Sequence, residues 1–242
     1  MLDRVTLTGA DTTTDIEHMG RLSEAYPFVE WGILVSESSA GSPRFPSFEW
    51  IVELYRFREN NPINLSVHVC GEWVRDICAG NWSPFMCHIG PLANLADRIQ
   101  LNFHAYTHLI TPNFVPESSR RCKENGWELI FQVDGVNDHL VFEARAEGLP
   151  AVPLFDKSGG AGIVPDKWPM AIKGVYCGYA GGLGPSNVLK ELVSIEYDSG
   201  LDCPARYWID METKVRSRSG LDFDLDLCEE VLASVELNAW HE

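Results

Sequence analysis

Pro153-Leu154-Phe155-Asp156-Lys157-Ser158-Gly159-Gly160-Ala161-Gly162 and, further on, Ala180-Gly181-Gly182-Leu183-Gly184-Pro185-Ser186-Asn187-Val188 decide how this chain is read. The first stretch is an apolar run that ends in an aspartate and a glycine loop. The second closes another apolar run, from Val175 to Ala180, at a glycine pair. It then enters a helix opened by Pro185 and Ser186. Glycines at two successive strand ends let backbone N–H groups close on an anion. Asp156 sets an ionisable carboxylate beside them, so the pair of loops reads as an active site.

The same alternation extends outward in both directions. Before it come apolar runs from Val5 to Leu7, Val29 to Val35, Leu65 to Cys70, Ile99 to Phe103 and Leu129 to Val133; after it comes Arg206 to Met211. Helical spacing appears at Ile16, Met19, Leu22 and Ala25, with Thr14 or Asp15 as N-cap. It appears again after Pro46-Ser47, at Phe48, Ile51, Val52, Leu54 and Tyr55. Helical pieces are expected between Arg75 and Asp97, and helices over 136–148, 186–193 and 225–237. Eight strand candidates, each followed by a helical or crossover-sized stretch, predict parallel strands. Eight such units in 242 residues predict one domain over 1–242, a closed (β/α)8 TIM barrel, which typically takes about 250 residues. A doubly wound open sheet is the competing reading. It usually shows G-x-G-x-x-G after its first strand, and Thr8-Gly9-Ala10-Asp11 lacks that pattern.

The net charge of −16 argues against a nucleic-acid or anionic-membrane partner, because phosphates would be repelled. A small anionic substrate held by local N–H groups is compatible with it. The seven cysteines form no Cys-x-x-Cys pair and read as reduced thiols, which predicts a cytoplasmic protein. No run approaches the ~20 apolar residues of a membrane span.

In a barrel, chemistry sits at the C-terminal ends of strands. The candidates are therefore Thr8 and Asp11, Glu37 and Arg44, His68 and Cys70, Asn102 and His104, Gln132 and Asp134, Asp156 and Lys157, Gly181-Gly182, and Glu212-Thr213-Lys214. Asp156 at an apolar rim suits general acid or base work; its alternative is a loop aspartate capping the 158–162 backbone. Arg44 can clamp a substrate carboxylate, or pair with a surface acid. His68 and His104 with a carboxylate would make a metal site, but no compact ligand cluster supports one. Neither metal nor cofactor is expected. Alternation sends Lys157 to the side opposite Asp156, so an exposed lysine is expected there.

These residues resemble phosphoribosylanthranilate isomerase. Val5-Thr6-Leu7-Thr8-Gly9 is similar to that family's opening Val-Lys-Ile-Cys-Gly, and Ser42-Pro43-Arg44-Phe45 to its Ser-Pro-Arg loop. Ile99 to Phe103 resembles Val-Gln-Leu-His-Gly. Leu154-Phe155-Asp156 with Gly159 to Gly162 resembles its sixth strand and Gly-Gly-Thr-Gly loop, and Ala180 to Leu183 with Asn187-Val188 its Ala-Gly-Gly-Leu…Asn-Val. Ile209 to Arg216 falls on Val-Asp-Val-Ser-Ser-Gly-Val-Glu.

The resemblance implies a (β/α)8 barrel and an Amadori isomerisation of a phosphoribosylamine. It implies Asp156 as general acid, Arg44 near the substrate's aromatic acid, and Gly160, Gly162, Gly181 and Gly182 in a phosphate cradle. The family's base cysteine is Thr8 here, and a hydroxyl cannot replace a thiolate as proton acceptor near neutral pH. The last anion turn reads Glu212-Thr213-Lys214, and Asn102-Phe103 replaces His-Gly. The leading expectation is thus a divergent isomerase- or lyase-type enzyme acting by proton transfer on a small anionic, sugar-derived substrate. Asp156 and a substitute base Asp11 would move protons, with Thr8 at the catalytic position where the family has its cysteine, and Arg44, Asn102, His104 and Lys214 would hold the substrate. True phosphoribosylanthranilate isomerase activity and a non-catalytic binding protein on an inherited barrel are the alternatives. A monomer or homodimer is expected.

Overall fold

The computed structural model describes residues 1–93, 96–102, 107–135, 137–157, 161–201 and 205–239. Eight parallel strands close a barrel in sequence order: β1 Leu2–Thr8, β2 Val29–Val35, β3 Asn64–Val69, β4 Arg98–Leu101, β5 Glu128–Val133, β6 Ala151–Phe155, β7 Cys177–Ala180 and β8 Tyr207–Met211. β1 pairs with β8 to complete the ring, with an irregularity between Leu2 and Arg4. That pairing makes β1 longer at its start than its apolar run suggests.

Around the ring run α1 Ile16–Ala25, α2 Phe48–Arg58, α3 Glu72–Cys78, α4 Ser83–Ala93, α5 Phe114–Asn125, α6 His139–Ala146, α7 Val188–Ser199 and α8 Leu225–Ala239. Local chemistry sets their ends. Asp15 accepts from the His18 N–H and Ser47 from the Trp50 N–H, satisfying orphan donors at the starts of α1 and α2. α5 and α7 stop at Gly126 and Gly200, both left-handed, a conformation glycine adopts without steric penalty. None of these helices is long and apolar enough to cross a membrane, among the described residues.

Two units depart from simple alternation. The β3–β4 connection holds two helices, α3 and α4. The β6–β7 crossover holds none among its described residues. Pro165 and Pro169 break any helical ladder there. The buried Trp168 stands where a helix would pack: its Nε1 donates to Glu191 Oε2 at 3.1 Å, and its backbone N–H donates to Asp198 Oδ2 at 3.1 Å. Both acids belong to α7, so the crossover is fastened to the next helix by side chains.

The main apolar core lies between ring and helices. The inside of the ring is divided. Beneath the mouth its β5–β8 side is apolar, with Ile130, Val152, Leu154 and Trp208 packed together. Its β1–β4 side is polar. The buried Glu30 carboxylate takes Thr6 Oγ1, Arg4 Nη1 and Arg98 Nε, each at 2.8 Å, and Arg98 Nη2 as well. Burial alone would raise the Glu30 carboxyl; the guanidinium groups of Arg98 and Arg4 more than offset that and hold it at about 2. The Arg98 guanidinium rests 4.4 Å from the Trp208 ring centroid, where the two halves meet.

Candidate active site

The C-terminal mouth of the barrel holds a cavity of about 320 Å³. Because side chains alternate along a strand, the last inward positions supply its wall: Thr8 of β1, His68 of β3, Gln100 of β4, Gln132 of β5, Leu154 of β6 and Asp210 of β8. Gly32 makes room for this cluster. A Cβ there would overlap Thr8 Oγ1 and come within 3.0 Å of His68 Cε1.

Asp210 is the chemically distinctive residue. It is buried, and Thr8 Oγ1 donates to its Oδ1 at 2.8 Å. Burial, reinforced by the nearby Glu212 and Glu30 carboxylates and opposed by the Thr8 hydrogen bond, pushes the Asp210 carboxyl up to about 8. At neutral pH it is mainly a carboxylic acid and can donate a proton. His68 Nε2 stands 4.0 Å from Asp210 Oδ2, too far for a hydrogen bond. Burial lowers this imidazole to about 3, so it is neutral.

Asp156, just past β6, is buried in the same cavity. Gln132 Nε2 donates to its Oδ2 at 2.8 Å. Asn102 also lines the wall. It accepts from Gln100 Nε2 at 2.8 Å and donates to Cys70 Sγ at 3.2 Å. Burial pushes the Cys70 thiol up to about 12, so it is no nucleophile.

The opposite wall is built from Gly162, Gly181, Gly182, Thr213 and Lys214. Gly181 has φ +130° and Gly182 φ +61°. A Cβ on Gly181 would come within 2.8 Å of the Ile163 carbonyl oxygen, and one on Gly182 within 2.7 Å of the Val164 nitrogen. Both conformation and space demand glycine here. Among the described residues, the backbone N–H groups of Gly182 and Leu183 have no acceptor, and free backbone donors of this kind suit an anion. Lys214 brings a positive charge to this wall, its stem packed against Gly184.

The remaining expected residues fall elsewhere. Asp11 does not line the cavity. Its Oδ2 meets Arg216 Nη2 at 3.1 Å, and its Oδ1 takes the backbone N–H and hydroxyl of Thr13. It fastens the loop after β1 to the loop after β8. Arg44 likewise stands outside the cavity lining. It is the one described non-glycine residue at positive φ, +77°, and its Nη1 pairs with Glu212 Oε1 at 2.6 Å. Its partner Glu212 does line the cavity. Burial raises the Glu212 carboxyl despite the opposing pull of Arg44. Lys157 is exposed. His104 and Gly160 lie outside the described residues, and with His104 goes the proposed histidine pair. Among the described residues no group of three metal-ligating side chains occurs. The strand-end rule missed Asp210, although its alternation with Trp208 was available as a signal.

The fold and this mouth define a single closed (β/α)8 barrel with its cavity at the C-terminal ends of the strands. A monomeric form of the dimeric phosphoribosylanthranilate isomerase from Thermotoga maritima superposes with TM-score 0.54 at 17% identity, covering 98% of this chain and 99% of that one. The phosphoribosyl anthranilate isomerase from Thermococcus kodakaraensis gives 0.52 at 19%, covering 96% and 98%. D-psicose 3-epimerase from Clostridium cellulolyticum H10, solved with D-tagatose, gives 0.51 at 12%, covering 98% of each chain. At such identities the likeness is one of fold alone. No protein-family model and no curated protein matches the chain.

Proposed function

We propose that this barrel is a proton-transfer enzyme of the isomerase or lyase type, acting on a small sugar-derived substrate that carries an anionic, phosphate-like group. The observation that carries the reading is that two carboxyls line one cavity in different surroundings: Asp210 is buried against Thr8 and pushed up to about 8, and Asp156 accepts a hydrogen bond from Gln132 Nε2. Proton-transfer chemistry needs one group that gives a proton and one that takes it.

In this reading the substrate's anionic group lies against Gly162, Gly181, Gly182 and Lys214. Asp156 takes the proton from the carbon next to the carbonyl or imine. The C–H electron pair becomes the enol or enamine double bond, while Asp210 protonates the oxygen or nitrogen. Asp156 then gives its proton to the former carbonyl or imine carbon, while Asp210 recovers a proton from the hydroxyl on the deprotonated carbon as that carbon becomes the new carbonyl, so the isomerisation needs no external oxidant or reductant. Thr8 contributes by holding Asp210, so the position that lacks a thiol supports a carboxyl in its place.

True phosphoribosylanthranilate isomerase activity is the lesser reading. It asks Arg44 to meet a substrate carboxylate, and Arg44 is paired with Glu212. Complementation of a tryptophan auxotroph tests it separately.

The main reading is tested by incubating the protein with phosphorylated aldoses and N-aryl glycosylamine phosphates in D₂O and following deuterium entry at C2 by NMR. Exchange is expected with at least one phosphorylated compound, and Asp210→Asn and Asp156→Asn should each slow it by ~100-fold or more. Absence of exchange across the set, or full exchange in both variants, defeats the reading.

A further inference from the structure

A second cavity opens at the opposite, N-terminal end of the barrel, with a volume of about 890 Å³, within the ~300–1,000 Å³ usual for small-molecule sites. One wall is the segment that leads into β7, presenting Ala171, Ile172, Val175 and Tyr176. The floor is formed by residues at the starts of strands: Arg4, Arg98 and Glu128.

Arg98 is the informative residue. It is buried, and its Nε and Nη2 are taken by Glu30, with Thr6 Oγ1 also 3.3 Å from Nη2. Its Nη1 is buried too and has, among the described residues, no hydrogen-bond partner. The Glu128 carboxylate pairs with it as an ion 3.6 Å away, beyond hydrogen-bond length. Leaving a buried charged donor without a hydrogen bond is costly, and Arg98 lines a cavity of ligand size.

Charge supports the same conclusion. The cations at the cavity are Arg4, Arg98, Lys173 and Arg206; the acids are Asp3, Asp97 and Glu128, with Glu30 beneath. These balance, in a chain whose net charge is −16, so an anion meets no local repulsion here. Asp3 is occupied by Arg206 and the Tyr176 hydroxyl, and Asp97 by the Leu65 N–H. Arg4, by contrast, gives only one N–H to Glu30. Tyr176 stacks on Trp208 with centroids 4.6 Å apart, extending an apolar, aromatic surface beside these donors.

We propose that this cavity is a binding site for a small organic anion, a carboxylate or phosphate on an apolar or aromatic body, held by Arg98 Nη1 and Arg4 with its body against Ile172, Val175 and Tyr176. The site is separate from the mouth and does not depend on the reaction proposed there.

The test is calorimetric titration of the full chain with benzoate, phenyl phosphate and the neutral benzyl alcohol. Benzoate or phenyl phosphate should bind at least tenfold tighter than benzyl alcohol; which of the two is preferred identifies the head group. Ala171→Trp fills the cavity without touching the Arg98–Glu30 pair, and Arg4→Met removes one donor. Each should weaken binding at least tenfold while circular dichroism and unfolding temperature show a folded protein. A crystal soaked with the tighter anion should place an oxygen about 3 Å from Arg98 Nη1. The proposal is overturned if neither anion binds, if benzyl alcohol binds equally, or if Ala171→Trp keeps wild-type affinity, which would move the ligand to another site such as the mouth.

Discussion

Thr8 Oγ1 donates a 2.8 Å hydrogen bond to Asp210 Oδ1 across the closing seam of the barrel, joining the last residue of β1 to β8. This bond favours the charged carboxylate and so opposes the effect of burial. Thr8→Val removes the donor at nearly constant volume, and the Asp210 carboxyl should then titrate above its wild-type value of about 8. Carboxyl-carbon NMR across pH 5–10 (about one proton resolved at this site) reads the shift; a downward movement contradicts the account.

Asp210 should also cost the protein stability at neutral and alkaline pH. Its folded value of about 8 lies above the ~3.9 of an unfolded aspartate. Between those values the folded state holds a proton that the unfolded state has released, so stability falls as pH rises through the window. Asp210→Asn should therefore be more stable than wild type by an amount near zero at pH ~4 and on the order of a few kcal/mol at pH ~8. Urea unfolding at the two pH values gives the difference, and a gap independent of pH would refute it.

Gly32→Ala should disturb Thr8 directly. The new methyl would overlap Thr8 Oγ1 and fall 2.9 Å from Thr8 Cβ. Such overpacking costs about 1–3 kcal/mol, and displacing Thr8 should shift Asp210 in the same direction as Thr8→Val. Thermal unfolding combined with the carboxyl titration tests both effects in one variant.

Arg44 provides a comparison of backbone strain with charge pairing. At φ +77° a side chain costs roughly 1–2 kcal/mol that glycine does not incur. Arg44→Gly and Arg44→Ala both remove the partner of Glu212, so their difference isolates the backbone. Arg44→Gly should be the more stable of the two by about 1 kcal/mol. Equal denaturation midpoints would show that the loop relaxes around alanine.

Glu30 should dominate the acid limb of stability. Its folded value of about 2 lies below the unfolded ~4.3, so its contribution is present above pH ~4.3 and lost as pH falls through about 2. Glu30→Gln leaves Arg98 buried without its counter-charge and should cost about 3–5 kcal/mol at pH ~7. The deficit should shrink as the pH is lowered, in unfolding curves recorded from neutral pH down to about 2.

The ring itself was legible because hydropathy alternates with crossover-length segments from Val5 to Met211, and because glycines punctuate the ends of β6 and β7. Asp156 was legible for the same reason: it is the first polar residue after an apolar run. Asp210 was not, because it lies inside the run from Tyr207 to Met211, and hydropathy alone does not say which face of a strand is enclosed. The polar side of the barrel interior was hidden likewise. Glu30 and Arg98 are far apart in sequence, and only the pairing of β2, β3 and β4 brings them together. Asp11 and Arg44 had suitable chemistry at suitable offsets, but their partners Arg216 and Glu212 arrive from the far end of the chain. The β6–β7 crossover, without a helix among its described residues, was expected only as a crossover-sized stretch, and Trp168 docking on α7 required coordinates.

The Glu30–Arg98 pair also bears on how accurately the barrel assembles. It joins β2 to β4 across β3, with Arg4 and Thr6 drawn in from β1. A slip of two residues between neighbouring strands keeps every inward position inward, so the alternation of apolar and polar side chains would not detect it. The ionic knot would: any such slip strands a carboxylate and a guanidinium inside the ring without each other. Misaligned closures are therefore penalised at the first four strands, before the apolar half has to choose its partners.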